Sequence, residues 1–305
     1  MFVLAHLSDL HVAPLPKPRV TELASKRLFG FLNWRYGRID IHRADVLDRI
    51  VQDLKGQSPA HIAVTGDLVN IALPGEFANA RAWLERLGPS NDVSLVPGNH
   101  DAYVRSALST AARVWGDYMR GDGAVSAGFP FVRRRGALAL IGTSTAVPTS
   151  PASAAGELGT AQIARLAKIL AQTGADGLFR VLLIHHPPAG NRAAHKRLID
   201  AEPLAHVLRD VGAELVLHGH DHIASLNWLE GPHGRIAVIG VPSASAAPGG
   251  KHIPAAYNLY RIKAGASGGW DCEVISRGLP AKGHTVTELG RRTLSIESVE
   301  LVPPL

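Results

Sequence analysis

The sequence predicts an α/β protein in which a central mixed β-sandwich is flanked by helices. Three observations lead there. Eight apolar, β-branched runs of strand length recur along the 305 residues, each bounded by turn-forming residues. The gaps between the early runs carry apolar residues at helical spacing, whereas the later runs are joined by short Gly-, Pro- and Ser-rich stretches without a helix. A hydrophobic content of 46% on a chain of this length can bury a sizeable core.

The first predicted strand is Phe2–Leu7, followed after a long connection by a helix with Val46, Leu47, Ile50, Val51 and Leu54 on one face. His61–Thr65 is the second strand, and Phe77, Ala80, Leu84 and Leu87 mark the next helix before the strand Val93–Val96. Ala137–Ile141 precedes a helix carrying Ile163, Leu166, Ala167 and Leu170; Arg180–Ile184 precedes one carrying Leu204, Val207, Leu208 and Val211. Glu214–Leu217, Arg235–Val241 and Tyr257–Ile262 complete the strands. The domain is expected to span residues 1–280, with residues 281–305 as a C-terminal extension packed on it.

Composition excludes several classes. The lone cysteine, Cys272, rules out an internal disulfide and a cysteine-rich metal site. The opening MFVLAHLSDLH has neither the basic region nor the cleavage site of a leader, and no apolar stretch approaches the roughly 18–20 residues that cross a bilayer. A cytoplasmic protein is the expectation. The formal charge of +6 favours anionic partners in a general way and says nothing about fold.

Chemistry is concentrated where five of the apolar runs end. The motifs are Asp9-Leu10-His11, Gly66-Asp67, Gly98-Asn99-His100-Asp101, His185-His186-Pro187 and Gly219-His220-Asp221-His222. Carboxylate oxygen, amide oxygen and imidazole nitrogen suit divalent manganese, iron and zinc, and paired dications serve displacement at phosphorus. Because every motif directly follows a predicted strand, the candidate ligands gather at the carboxyl edge of a sheet. In Asp9-x-His11 and His220-x-His222, an extended segment would put both members of a pair on one side.

In the order and spacing of these motifs, over about two-thirds of its length, the chain resembles the calcineurin-like metallophosphoesterase superfamily. The resemblance implies a four-layer architecture and two divalent metals. Asp9, His11 and His222 would hold the first, Asn99, His185 and His220 the second, and Asp67 would bridge both. His185 is chosen over His186 because the family pattern is His-x-Pro. His100 cannot share a metal readily with its neighbour Asn99 and is placed as the group that assists the leaving oxygen, while Asp101 is placed to orient its imidazole. The implied reaction is in-line attack at phosphorus by a hydroxide held between the metals. The expected substrate is a phosphodiester or a pyrophosphate. A peripheral lipid pyrophosphohydrolase of the UDP-diacylglucosamine type is the alternative, and a non-catalytic scaffold, such as the retromer subunit of this fold, is disfavoured because no ligand is missing.

Residues 14–42 exceed what a strand-to-helix connection needs. Val20, Leu23, Ala24, Leu28, Phe31 and Leu32 predict an amphipathic helix, ending near Trp34 and Tyr36. Between residues 17 and 38, Lys17, Arg19, Lys26, Arg27, Arg35 and Arg38 face a single acid, Glu22. That is the composition of an element at an anionic membrane surface, here the inner face, or of a packed helix with a solvated basic face. Basic and aromatic residues interleave only near residues 26–38, so a nucleic-acid partner is not expected.

Overall fold

Period-two alternation along the strands determines the layers. In the computed structural model, which describes residues 1–265 and 269–296, one sheet contains β1 (Phe2–Leu7), β2 (His61–Val64), β3 (Val93–Leu95), β10 (Ala256–Ala264), β11 (Trp270–Gly278) and β12 (Thr287–Ile296). The other contains β4 (Phe131–Arg135), β5 (Leu138–Gly142), β6 (Phe179–Leu183), β7 (Leu215–His218), β8 (Ser225–Gly231) and β9 (Gly234–Gly240). The spatial orders are β12-β11-β10-β1-β2-β3 and β4-β5-β6-β7-β9-β8.

Leu4 and Ala63 of the first sheet share a core with Leu140, Val181, Leu183, Leu217 and Ile239 of the second. Their sequence neighbours point the other way. Ala5, Leu7, Ile62 and Val64 meet the helices α2 (Ala44–Gly56), α3 (Pro74–Leu87) and α4 (Ala107–Trp115). Ala139, Ile141, Leu182 and Val216 meet α5 (Thr160–Ala175) and α6 (Ala201–Val211). Helices, sheet, sheet and helices form four layers, as the fold class predicts.

β1, β2 and β3 run parallel, as do β5, β6, β7 and β9. Their carboxyl ends meet at one edge of the sandwich. The strands that the sequence hides are β4, β8, β11 and β12, and three of these are sheet edges with one flank unpaired, where charge and polarity replace continuous apolar runs. β4 even carries a buried arginine: Arg133 donates to the backbone carbonyls of Arg120, Ser90, Val93 and Asp117 at 2.5–2.8 Å. β12 pairs along β11 from Thr287 to Ile296, and the rest of the C-terminal extension, residues 297–305, lies outside the described residues.

The expected helix over residues 20–32 is corrected. A 3-10 turn (Val20–Leu23), the short helix α1 (Arg27–Asn33) and a π turn (Trp34–Arg38) replace it, and none of these residues is buried. The reason is where its polar residues go. Arg27 donates to the carbonyls of Ile71 (3.2 Å) and Ala72 (2.6 Å), and Lys26 donates to Thr149 O (2.9 Å) and sits over the Tyr103 ring. Gly30 lies so close to Tyr103 and Ile71 that an added Cβ would collide with both. With the polar side anchored, the apolar side faces outward: Val20 is 88%, Phe29 65% and Tyr36 83% exposed.

Candidate metal centre

The five motifs extend β1, β2, β3, β6 and β7 by a few residues beyond their carboxyl ends. The first two loops stay zipped together, with Asp9 N–H on Gly66 O (3.0 Å) and His11 N–H on Asp67 O (2.9 Å). The two Asp/His-x-His segments are not extended, contrary to expectation. Asp9, His11, His220 and His222 have φ of 54°, 41°, 72° and 56°, and Asp67 has 55°. Left-handed backbone at a residue other than glycine costs about 1–3 kcal/mol and persists where the surroundings hold it. Here His220 N–H donates to the Asp9 carboxylate (3.0 Å), and Arg192 Nε reaches both oxygens of Asp221 (2.9 and 2.8 Å) between the two histidines. Gly219 has to be glycine because a Cβ there would run into Ser8 and the Asp9 carboxylate.

The side chains gather in two overlapping groups. One ligand atom each from Asp9, His11, Asp67 and His222 falls within 4.8 Å of the others; His222 Nε2 stands 3.2 Å from Asp9 Oδ1 and 3.4 Å from His11 Nε2. Asn99 Oδ1 lies 3.2 Å from His185 Nε2 and 3.0 Å from His220 Nδ1. Asp67 Oδ2 is 3.5 Å from His185 Nε2, so its carboxylate faces both groups. All seven expected ligands are thus brought together.

Hydrogen bonds behind the rings fix how each is turned. His11 Nδ1 donates to Val69 O (3.1 Å), His185 Nδ1 to Thr65 O (2.6 Å) and His220 Nε2 to Lys196 O (2.9 Å), which aims the opposite nitrogen inward. His186 differs, since Thr145 Oγ1 (2.7 Å) and Ala154 O (3.0 Å) engage both its nitrogens.

The electrostatics demand positive charge. Burial opposes ionisation of Asp9 and Asp67, yet His222 beside the first and His185 beside the second hold both carboxyls below the usual range. Burial would lower His185 too, but the Asp67 charge pushes it up to about 10. Burial and the neighbouring His185 lower His220 to about 4, and burial with His42 and Arg38 holds His11 well below its ordinary value. Paired buried carboxylates, the His11 and His220 imidazoles that burial keeps neutral, and His185, whose extra proton stands where a cation would, are a donor set that fits two dications.

His100 and Asp101 depart from their expected partnership. The His100 ring donates from Nδ1 to the Asn70 carbonyl, and its Nε2 accepts from Arg38 at 3.3 Å. The Asp101 carboxylate instead accepts the backbone N–H groups of Asp67 (2.9 Å), Leu68 (2.9 Å), Val69 (3.2 Å) and Gly98 (2.9 Å). Adjacent side chains diverge here, so Asp101 shapes the loops and leaves the imidazole to Asn70. Glu76 supports that loop in turn, accepting from Asn70 (2.5 Å), Ile71 (3.2 Å) and Leu73 (2.9 Å).

Two residues at the centre escaped the sequence reading. Arg38 was counted only as part of a basic run. His42, which belongs to none of the five motifs, has its ring 4.3 Å from that of His11 and bonds Ser245 Oγ at 2.9 Å. No apolar run precedes either one, so the strand-end signal that marks the other motifs is absent.

A family model described as calcineurin-like phosphoesterase matches residues 2–224. A glycerophosphodiester phosphodiesterase, GpdQ, from Enterobacter lignolyticus is 32% identical over 101 residues, covering 32% of this chain and 29% of that protein, so less than a third of the relative is spanned. Among solved structures, a dimetal phosphatase from Danio rerio aligns over 97% of this chain and 99% of its own with a TM-score of 0.62 at 14% identity. GAP50, the anchor in the inner membrane complex of Plasmodium, aligns over 98% and 90% with a TM-score of 0.51 at 12% identity. At such identities the likeness of structures concerns the fold.

Proposed function

This chain belongs to the calcineurin-like phosphoesterase family, and from that premise we propose that it is a binuclear metal-dependent hydrolase of a phosphodiester or pyrophosphate. The observation that carries the reading is the convergence of seven oxygen- and nitrogen-bearing side chains from five loops, six of them gathered about the Asp67 carboxylate. Asp9, His11 and His222 would hold one metal, Asn99, His185 and His220 the other, and Asp67 both, with manganese, iron or zinc as the fitting ions. Bound there, the pair supplies Lewis-acid charge and an activated water for displacement at phosphorus.

The protein's own groups do the rest. Burial, and the Arg38 charge after it, opposes protonation of His100, whose pKa is lowered to about 4 despite Asp67. An anionic phosphoester raises it again by direct attraction, so the protonated ring belongs to the substrate complex. There Nε2 is the atom that passes a proton to the leaving oxygen. The likeness to GpdQ, a glycerophosphodiester phosphodiesterase, supports a diester. The outward apolar face of residues 20–39 favours a second reading, a lipid-linked pyrophosphate taken from an anionic membrane surface.

The test is hydrolysis by manganese-loaded protein of bis-p-nitrophenyl phosphate, p-nitrophenyl phosphate and a nucleotide-linked lipid, with bound metal counted. Asp67→Ala should lose metal and turnover together. His100→Ala should retain two metals and lose on the order of 10²–10⁴ in rate, less with good leaving groups. An Asp67→Ala protein with full metal and full activity would sink the assignment.

A further inference from the structure

Arg38 ends the π turn that closes the insertion, half-buried and reaching the centre through a 3.3 Å hydrogen bond to His100 Nε2. Other arginines withdrawn from water in this molecule have acidic or carbonyl partners. Arg180 forks onto Glu214, Arg192 onto Asp221 and Arg277 onto Asp53, while Arg133 takes four carbonyls. Arg38 has no carboxylate within 4 Å among the described residues, although Asp67 and Asp9 are near enough to stabilise its charge against burial. A guanidinium offers five donors, and among the described residues only the one to the His100 imidazole is engaged.

We propose that Arg38 binds the phosphoryl oxygens of the substrate, so that the insertion contributes a phosphate-binding residue to the centre. This rests on the hydrolase reading in one respect: with the carboxylates of Asp9 and Asp67 committed to metals, an incoming anion is the available partner. A phosphoryl group presents two or more oxygens whose spacing matches the planar fork of arginine. The arm is also held before the anion arrives. Lys26 and Arg27 fasten the segment on one side of Arg38, and on the other His42 bonds Ser245 while Arg43 N–H donates to Ser245 O at 3.0 Å. An arm already ordered loses little freedom on binding. The neighbouring imidazole gives the anion a second contact at the same place.

Inorganic phosphate titrated calorimetrically into manganese-loaded protein, with metal counted in each sample, decides it. Arg38→Gln should bind phosphate about 10- to 100-fold more weakly with the metal content unchanged. Arg38→Lys keeps the charge without the fork and should recover only part of that loss. Equal affinity in wild type and Arg38→Gln overturns the proposal, as does loss of metal from Arg38→Gln or the absence of phosphate binding by the wild type. Turnover is not required. A wild type that binds phosphate through Arg38 but hydrolyses no phosphoester refutes the hydrolase reading alone, whereas a hydrolase whose KM and phosphate affinity ignore Arg38→Gln refutes the arginine's role alone.

Discussion

Asp101 is the residue on which the loops of the candidate metal centre turn. Its two oxygens gather four backbone N–H groups from the loops that carry Asp67 and Asn99, although burial and the Asp67 charge push its carboxyl up. Asp101→Asn replaces one acceptor by a donor that faces backbone N–H groups, so the loops lose part of their hold. Manganese affinity should then fall roughly 10- to 100-fold, as it does when groups supporting metal ligands are lost. Competition with a chelator measures this. If affinity stays at the wild-type level while the dependence of rate on leaving group changes, Asp101 acts on His100 after all.

At the scale of one element, the insertion divides its cations between two tasks. Lys26, Arg27 and Arg38 are tied to the domain, which leaves Lys17, Arg19 and Arg35 exposed beside Val20, Leu28, Phe29, Leu32, Tyr36 and Ile39. Near an anionic bilayer each free cation contributes about 1 kcal/mol, screened over a Debye length of roughly 8 Å at physiological salt. We predict sedimentation with anionic liposomes at low salt and release at high salt. Lys17→Glu/Arg19→Glu/Arg35→Glu should stay in the supernatant at low salt, and Phe29→Ser should bind less at every salt concentration. Wild-type protein that ignores the liposomes at low salt reduces this face to a solvated surface. Reversing Lys26 or Arg27 would be a poor test, because it also unseats Arg38.

For the whole molecule, the buried histidines of the sandwich couple folding to pH. Burial, and then the charge of His218, lowers His6 to about 3; burial, and then the charges of Arg135 and Arg133, lowers His61 to about 3. Unfolded, each returns to about 6.5. Below that value the unfolded chain binds more protons, so the stabilisation is complete above about pH 6.5 and declines as pH falls toward the folded value. Each group should contribute a slope of about 1.4 kcal/mol per pH unit between pH 6 and 4. Urea unfolding at pH 7, 6, 5 and 4 should show this decline, and His61→Gln, which retains a hydrogen-bonding group for Ser94 without titrating in this range, should flatten it. Parallel profiles for wild type and His61→Gln would contradict the account.

Apolar runs of strand length, helical spacing and the motifs at strand ends are local properties, and each is written in nearby residues. For that reason the two-sheet, helix-flanked class, the buried strands from β1 to β10 and the seven candidate ligands were all legible in order. Three of the four edge strands, β4, β8 and β12, were not, because they lack the cover that makes a strand uniformly apolar, whereas the edge strand β3 is buried throughout and was legible. The left-handed turns at Asp9, His11, Asp67, His220 and His222 depend on hydrogen bonds between loops far apart in sequence. Arg38 and His42 lie outside the motifs, and what brings them to the candidate ligands is the docking of a segment on Ile71, Ala72, Thr149 and Ser245. The residues that would bind metal were therefore determined locally, whereas the residues that join them, and the direction the insertion faces, were decided by contacts that only the folded chain brings within hydrogen-bonding distance.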